Sequence, residues 1–138
     1  MNIYNISENI ININLLNNHN DLSNKILQYS NDIISTLGNN LTESVYHRSL
    51  ELELRSNGHS YTSEVVIPIK YKGHSVGVIR PDIILEDKYI LELKAIPSIK
   101  KKEINQLKTY LKHSNYEFGL LINFTHSSEK AEVIFIIK

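Results

Sequence analysis

The fifteen residues from Arg80 to Lys94, RPDIILEDKYILELK, constrain the fold of this chain more than any other stretch. Two apolar runs flank the polar tip Glu86-Asp87-Lys88, a pattern that predicts a β-hairpin. With Asp87 at the centre of the turn, Asp82 faces Glu92 across the two strands, Ile84 faces Ile90, and Arg80 faces Lys94. Because side chains alternate along a strand, one side of the sheet then carries a single set of residues. The members of that set are Arg80, Asp82, Ile84, Ile90, Glu92 and Lys94.

The predicted opposition of Asp82 and Glu92 has a chemical consequence. Directly opposed residues of antiparallel strands have Cβ atoms about 4.5–5.5 Å apart, and like charges there are destabilising. A divalent cation such as Mg²⁺ would relieve the repulsion, because it takes one or two carboxylates together with waters and phosphates. Spacing alone leaves a second interpretation open, in which the charges line the solvent face of an ordinary strand. A slip of one residue would also change the face.

Two helices are expected before this hairpin. Apolar residues recur at helical intervals from Asp21 until Gly38, and a second helix is expected from about Leu41 to Asn57. Within the second helix, Glu43 precedes Tyr46 by three residues and therefore lies on the apolar side. A carboxylate buried there needs a partner, since an unpaired buried charge is costly. The alternative is a surface glutamate that stabilises the helix N-terminus through the macrodipole.

The other segments predict a mixture of strands and one more helix. They are strands over 65–72, 76–85 and 89–96, a helix over 98–114, and strands over 118–124 and 132–137. Pro68 indicates an edge position or a break in the first of these strands. The last two strands are almost continuously apolar, as buried strands are. Residues 1–20 are rich in asparagine and are interpreted as an arm that is either disordered or a dimer contact.

The most basic region follows the hairpin directly. From Lys94 to Lys112 the chain holds six lysines and one acid, Glu103. Such a run is ordinarily a solvated helix face, and contact with a phosphate backbone is the second interpretation. Beyond Lys94, the lysines concerned are Lys100, Lys101, Lys102, Lys108 and Lys112. Gln106 and Tyr110 lie four residues apart on a neighbouring stripe of the same helix.

Composition narrows the classes of function. A chain of 138 residues is long enough for one domain with a single core. Fifteen basic residues balance fifteen acidic ones, so any surface for a polyanion must be a local patch. The absence of cysteine excludes disulfides and thiolate chemistry. No apolar run approaches the roughly 18 residues of a membrane span, and we expect a soluble intracellular protein, in the cytoplasm, nucleoid or nucleus, or in a host cell if the source is viral.

These residues together resemble a known superfamily. Pro81-Asp82, followed after nine residues by Glu92-Leu93-Lys94, resembles the PD-(D/E)xK motif of metal-dependent nucleases. The stretch from Leu41 to Phe124 is most similar to the small branch called GxxExxY proteins. The glutamate and tyrosine of that signature match Glu43 and Tyr46.

Two further features bear on the resemblance. Asn40 stands where the signature has its glycine, a departure at the start of the helix. The segment from Gln106 to Tyr110 is similar to the QxxxY element of some of these nucleases. The implied fold is an α/β (α+β) domain over residues 21–138. It has an αβββαβ core, a mixed central sheet flanked by helices, an extra N-terminal helix and a C-terminal strand.

The resemblance also implies a function and its residues. The expected cofactor is Mg²⁺, for which Mn²⁺ can substitute, held by Glu43, Asp82, Glu92 and the backbone carbonyl of Leu93. The expected catalytic residues are Glu43, Asp82, Glu92, Lys94 and Gln106. Nucleic acid is expected to contact Arg80, Lys100, Lys101, Lys102, Lys108, Tyr110 and Lys112, the first of these by the predicted register.

We expect such a protein to hydrolyse phosphodiester bonds in nucleic acid, DNA rather than RNA, in repair or recombination, with a homodimer left open. The alternative is a nuclease-fold module that binds nucleic acid or a protein partner with weak or no catalysis, because a fold does not determine an activity.

Overall fold

The computed structural model of the protein describes residues 10–12 and 21–138. These residues form three helices, α1 (Asp21–Leu37), α2 (Glu43–Ser56) and α3 (Lys101–Lys112). They also form eight strands: β1 (Ile10–Asn12), β2 (Tyr61–Ser63), β3 (Ile67–Tyr71), β4 (His74–Ile79), β5 (Ile83–Leu85), β6 (Tyr89–Lys94), β7 (Phe118–Asn123) and β8 (Glu132–Ile137). None of the helices in this part of the chain is both long and apolar enough to cross a lipid bilayer.

Six strands form the central sheet, in the order β1-β8-β7-β6-β5-β2. Strands β6 and β7 are parallel and are connected through α3, because a parallel pair needs a crossover that carries the chain back along the sheet. The other neighbouring pairs are antiparallel. The sheet is therefore mixed, and the predicted fold class is confirmed.

Helices cover both faces of this sheet, and strand alternation decides what each face receives. The odd-numbered residues of β5 and β6 pack into the cluster that contains the buried residues of α1 and α2. On the opposite face, Ile84 and Ile90 pack with Leu107 of α3. Glu92 and Lys94 have the same parity as Ile90, so these charged side chains emerge on the α3 side of the sheet.

Helix α3 lies very close to β7 at Gly119. A Cβ atom at that position would be 2.9 Å from Cδ2 of Leu107, closer than side chains tolerate. Gly119 is paired with Ile90 across the parallel ladder, so the contact lies beside the hairpin that the sequence singled out. The missing side chain thus sets how closely the helix approaches the sheet.

The predicted strand over 76–85 is wrong, because the chain breaks near its middle. Strand β4 ends at Ile79 and β5 begins at Ile83, with Asp82 in a bend between them. Pro81 has no backbone N–H and cannot continue a ladder. As a result β4 pairs with β3 in a separate two-stranded sheet, whereas β5 joins the central sheet and pairs with β2, a strand that the sequence pattern did not predict.

The N-terminal segment contributes one edge strand to the fold. Ile10 in β1 is paired with Ile136 of β8 and is 8% exposed. Only residues 10–12 of the predicted arm are described, and the prediction for the rest of residues 1–20 lies outside the described residues.

Candidate active site

The base of the β5–β6 hairpin holds two carboxylates that are tied to each other's strands. The register is the predicted one, with Ile84 opposite Ile90. The backbone N–H of Asp82 donates to Oε2 of Glu92 at 2.8 Å, and the N–H of Leu93 donates to Oδ2 of Asp82 at 2.8 Å. Each carboxylate therefore has one oxygen held by the opposite strand, which fixes where its other oxygen lies.

The carbonyl of Leu93 points toward the same place. In a β-strand the N–H and C=O of one residue lie on the same edge, as the paired bonds of an antiparallel ladder require. The N–H of Leu93 is bonded to Asp82, so its C=O is directed to that side as well. The backbone carbonyl of the next residue, Lys94, points to the opposite edge of the strand, where it accepts a hydrogen bond from the N–H of Phe124 at 2.8 Å.

Burial disfavours the ionised form of both acids. Glu92 is 4% exposed, and burial, followed by the charge of Asp82, raises the pKa of Glu92 to about 8. Burial also raises the pKa of Asp82, although the bond from the Leu93 N–H opposes the rise. The deprotonated pair is thus destabilised, and a cation between the carboxylates would stabilise it.

Helix α2 brings Glu43 to the same place from the other face of the sheet. Glu43 is exposed at the start of α2 rather than buried on the apolar side of the helix. Partial burial against the site still raises the pKa of Glu43, and the nearby ammonium of Lys94 opposes the rise. Glu43 also interacts electrostatically with Asp82 and Glu92. The four predicted residues Glu43, Asp82, Glu92 and Lys94, which are far apart in the sequence, therefore form one cluster.

Tyr46 fixes the start of α2 and hence the position of Glu43. Its hydroxyl donates to the Gly38 carbonyl at 2.7 Å and accepts from the Leu41 N–H at 3.3 Å. Its ring stacks on Phe124 with centroids 4.4 Å apart. Asn40, in the turn between these contacts, has φ of 66°, a left-handed conformation that suits glycine best and that asparagine tolerates. The substitution for glycine therefore keeps the turn.

The donor set fits a hard divalent ion. No group of three or more histidine, aspartate or glutamate side chains within residues 10–12 and 21–138 forms a metal-holding cluster by itself. Mg²⁺, however, ordinarily takes one or two carboxylates and fills its other positions with water and phosphate oxygens. When ionised, Glu43, Asp82 and Glu92 place three negative charges against the single positive charge of Lys94. The excess of negative charge favours a divalent cation.

Helix α3 covers the α3 side of the cluster with Gln106 and Tyr110. The Gln106 side-chain amide donates to the Tyr110 hydroxyl at 3.4 Å. Burial and then the charge of Glu92 raise the pKa of Tyr110, which places its ring near the acids. The five predicted lysines of this region are all exposed: Lys100, Lys101, Lys102, Lys108 and Lys112. The helix thus presents two polar groups inward and its cations outward.

Comparison with known proteins identifies the superfamily of the chain. A sequence model of the PD-(D/E)XK nuclease superfamily matches residues 20–135, most of the chain. The chain belongs to the PD-(D/E)XK nuclease superfamily. No curated protein matches it. The match is to the whole superfamily, so the assignment to the GxxExxY branch stays a prediction.

Two solved structures are similar in fold. One is described as the crystal structure of SSO0001, with 24% identity, a TM-score of 0.48, and coverage of 69% of this chain and 49% of that one. The other is an alkaline exonuclease, LHK-Exo, from Laribacter hongkongensis, with 12% identity, a TM-score of 0.41, and coverage of 90% of this chain and 73% of that one. The chain spans about half the length of the first structure.

Nucleases of the PD-(D/E)XK superfamily generally use divalent metal ions. Asp82, Glu92 and Lys94, the residues that resemble the PD-(D/E)xK motif, lie together at the base of the β5–β6 hairpin. The predicted pairing of Arg80 with Lys94 is wrong. Arg80 is exposed in the segment between β4 and β5, outside the β5–β6 ladder, because the break at Pro81 ends the register there.

One side chain beside this cluster of acids, His47, was not predicted. His47 interacts electrostatically with Glu43 and Asp82, and its Nε2 lies 3.4 Å from Oε2 of Glu51. Ser63 of β2 donates to the same glutamate. A cavity of about 380 Å³ opens here, lined by Glu43, Ser44, His47, Arg48, Glu51 and Glu64. The signal in the sequence was the spacing of four residues from Glu43 to His47 to Glu51, which places all three on one helix face.

Proposed function

We propose that this protein is a metal-dependent nuclease that hydrolyses phosphodiester bonds in DNA, with Mg²⁺ as its ion and Mn²⁺ able to replace it. The observation that carries the proposal is the reciprocal bonding of Asp82 and Glu92 at the open end of the β5–β6 hairpin. A purely structural hairpin has no need to bury two acids whose charges repel. A phosphodiesterase does, because a charged substrate and its cation must be held together.

The ion would be held by Asp82, Glu92 and the carbonyl of Leu93, with Glu43 bound directly or through water. When bound, such an ion polarises a phosphoryl oxygen and makes its water ligand more acidic. The protein supplies a fixed pair of oxygens for it, since the hydrogen bonds across the hairpin hold both carboxylates in place. Tyr46 holds the start of α2, the helix that carries Glu43, by its hydrogen bond to the Gly38 carbonyl.

Lys94 supplies the positive charge of the protein itself. Its ammonium lies among Glu43, Asp82 and Glu92, on the α3 side of the sheet where a phosphate can approach. There it orients the attacking water and stabilises the negative charge that grows on the phosphoryl oxygens. Gln106 and Tyr110 contact the substrate or order the acids from the α3 side. The exposed lysines of α3, together with Arg80, bind flanking phosphates.

The test is a cleavage screen with labelled single-stranded and duplex DNA and RNA, each with Mg²⁺, Mn²⁺ or EDTA. We expect metal-dependent cleavage of DNA that is lost in Lys94→Ala, whereas the metal-induced rise in melting temperature is retained in that variant. Lys25→Gln on α1, which packs on the other face of the sheet, is the matched control and should cleave like the wild type. Metal binding without cleavage of any substrate would instead support the non-catalytic module.

A further inference from the structure

The β3–β4 hairpin, residues 67–79, is the part of the fold without an evident role in the proposed site. We call it the β3–β4 arm. Its two strands pair with each other and form a sheet separate from the central one. Seven large hydrophobic side chains of the described residues are exposed, and four lie on or beside the arm: Val66, Tyr71, Val76 and Val78, between 46% and 63% exposed. Exposed apolar groups gathered in one place mark a binding surface.

The charge of the arm has a single sign. From Val65 to Pro81 the chain contains no acid, although acids flank it on both sides at Glu64 and Asp82. The same stretch contains Lys70, Lys72 and Arg80, all exposed. The whole chain is neutral, so this stretch is a local positive region. A positive region of this kind attracts a polyanion more strongly than it attracts a protein surface with few acidic residues.

The base of the arm is joined directly to the acid cluster. The N–H of Glu64, before β3, donates to the Asp82 carbonyl at 2.9 Å, and Ile79 at the end of β4 is buried. Between the arm and the C-terminal end of α3 lies a cavity of about 400 Å³, lined by Ile67, Pro68, Lys70, His113, Ser114, Asn115 and Tyr116. A chain of phosphates that reaches Asp82 therefore passes beside the arm.

The shape of the arm favours one class of polyanion, duplex DNA, over the others. A strand of six residues extends about 20 Å, roughly the length of six base pairs. The major groove of B-DNA admits a two-stranded β-ribbon, whereas the deep and narrow major groove of A-form RNA does not admit side chains that would read it. The register shifts between Ile69 and Lys70, a bulge of the kind that increases the twist of a ribbon.

We propose that the β3–β4 arm enters the major groove of duplex DNA next to the cleavage site. Lys70 and Lys72 contact backbone phosphates, and Val76 and Val78 lie against base edges, where the thymine methyl offers an apolar contact. That the bound duplex is also cut rests on the proposed function. Binding by the arm does not, since it requires no metal and no catalysis. The arm would also give the protein its preference for DNA over RNA duplexes.

The test measures binding of the full chain in EDTA, where metal-dependent cleavage cannot occur. A fluorescent 20-base-pair DNA duplex and the RNA duplex of the same sequence are titrated by anisotropy at several salt concentrations. Replacing both arm lysines, Lys70→Gln with Lys72→Gln, should reduce the slope of log affinity against log salt by about 1.8. At 0.1 M salt that corresponds to about 60-fold weaker binding of DNA. The RNA duplex should bind more weakly and respond little.

The matched control removes two exposed lysines elsewhere, Lys25→Gln in α1 with Lys130→Gln in the loop before β8. It should leave the DNA slope unchanged, and both double variants should melt at the wild-type temperature. An unchanged slope in the arm variant, or equal affinity for the two duplexes, overturns the proposal even if the protein cleaves single strands. A wild-type dimer that dissociates on Val78→Asp would also overturn it, because the arm would then bind a second copy of the chain.

Discussion

Two hairpins follow one another along this chain, and only one of them is buried. The β5–β6 hairpin reads IIL and YILELK and is apolar on both faces, so helices cover it from both sides. The β3–β4 arm reads IPIKY and HSVGVI, with proline, glycine and lysine among its apolar residues, and solvent surrounds most of it. Both turn through two residues at positive φ, Lys72-Gly73 in the arm and Glu86-Asp87 in the buried hairpin.

The difference shows what burial does to charge. In the arm the lysines are exposed to solvent, which screens their charge, and Lys72 lies over the ring of Tyr71. In the buried hairpin Glu92 is almost inaccessible, and its charge must be compensated locally by a proton or a cation. Similar local structure thus yields an exposed basic surface in one hairpin and a buried acid that needs a proton or a cation in the other.

The largest effect is expected from Asp82→Asn at the base of the buried hairpin. Side chains that merely orient a metal ligand cost 10- to 100-fold on removal, so loss of the ligand itself should reduce cleavage by at least about 100-fold. The metal-induced rise in melting temperature should disappear, while the metal-free variant is at least as stable as the wild type because the repulsion is gone.

Asp87→Asn, at the exposed turn of the same hairpin, is the control and should behave like the wild type in cleavage and melting. If Asp82→Asn kept the metal-induced shift, the ion would lie elsewhere in the protein.

A second prediction compares the cores of the two hairpins. Ile90→Ala removes a fully buried side chain and should lower the free energy of unfolding by about 2–5 kcal/mol. Val78→Ala in the arm, where the side chain is 46% exposed, should change it by less than about 0.5 kcal/mol. Chemical denaturation followed by circular dichroism measures both. Similar losses in the two variants would show that the arm is part of the core.

The third prediction concerns pH. The pKa of Glu92 is raised to about 8 in the folded protein, so the folded form binds a proton more tightly than the unfolded form does. Without metal, the free energy of unfolding should therefore fall as pH rises from about 4.5 to 8, by at most about 1.4 kcal/mol per pH unit for this group. Metal affinity should rise over the same range, because binding displaces the proton.

Denaturation at pH 5, 6.5 and 8, with and without Mg²⁺, tests this dependence. Glu92→Gln should flatten the metal-free curve. Stability that increases with pH throughout this range in the metal-free wild type would contradict the electrostatic account of the buried hairpin.

A local effect, smaller than that of Ile90→Ala, is expected at the turn of the arm. Gly73 has φ of 81°, and no atom lies within 4 Å of a Cβ placed there, so Gly73→Ala meets only the conformational cost. That cost is about 1 kcal/mol for an L-residue in the left-handed region. Amide hydrogen exchange should show faster opening in residues 67–79, with unchanged protection in β5 and β6. Equal acceleration in both hairpins would mean that they open as one unit.

Much of this fold could be predicted from the sequence where local rules decide. The bounds of α1 and β8 are the predicted ones, and α2 and α3 are only shorter at their ends. The register of the buried hairpin was predictable because the polar tip fixes the turn, and the turn then fixes the pairs from Leu85–Tyr89 to Ile83–Leu91. Just beyond the last pair, the backbone N–H of Asp82 still bonds the side chain of Glu92.

The remaining features depend on which segments are close in space, and alternation cannot reveal that. The sequence pattern continues from Val76 to Leu85, but Pro81 interrupts the ladder and separates the arm from the central sheet. The pairing of β2 with β5 could not be predicted from the sequence pattern either, because it depends on how the two segments meet in space. His47 was missed because a histidine on a helix acquires meaning only when Glu43 and Asp82 are known to be its neighbours.

Gly119 has a consequence for how such a protein changes over evolutionary time. The helix that carries Gln106, Lys108 and Tyr110 rests on this residue through Leu107, and the opposite strands carry the acids. A single methyl group at position 119 would press on the Leu107 side chain, so Leu107 and the turn of helix around it must shift to make room. The space over Glu92 can therefore change through mutation of a buried residue of β7, while Asp82, Glu92 and Lys94 stay unchanged.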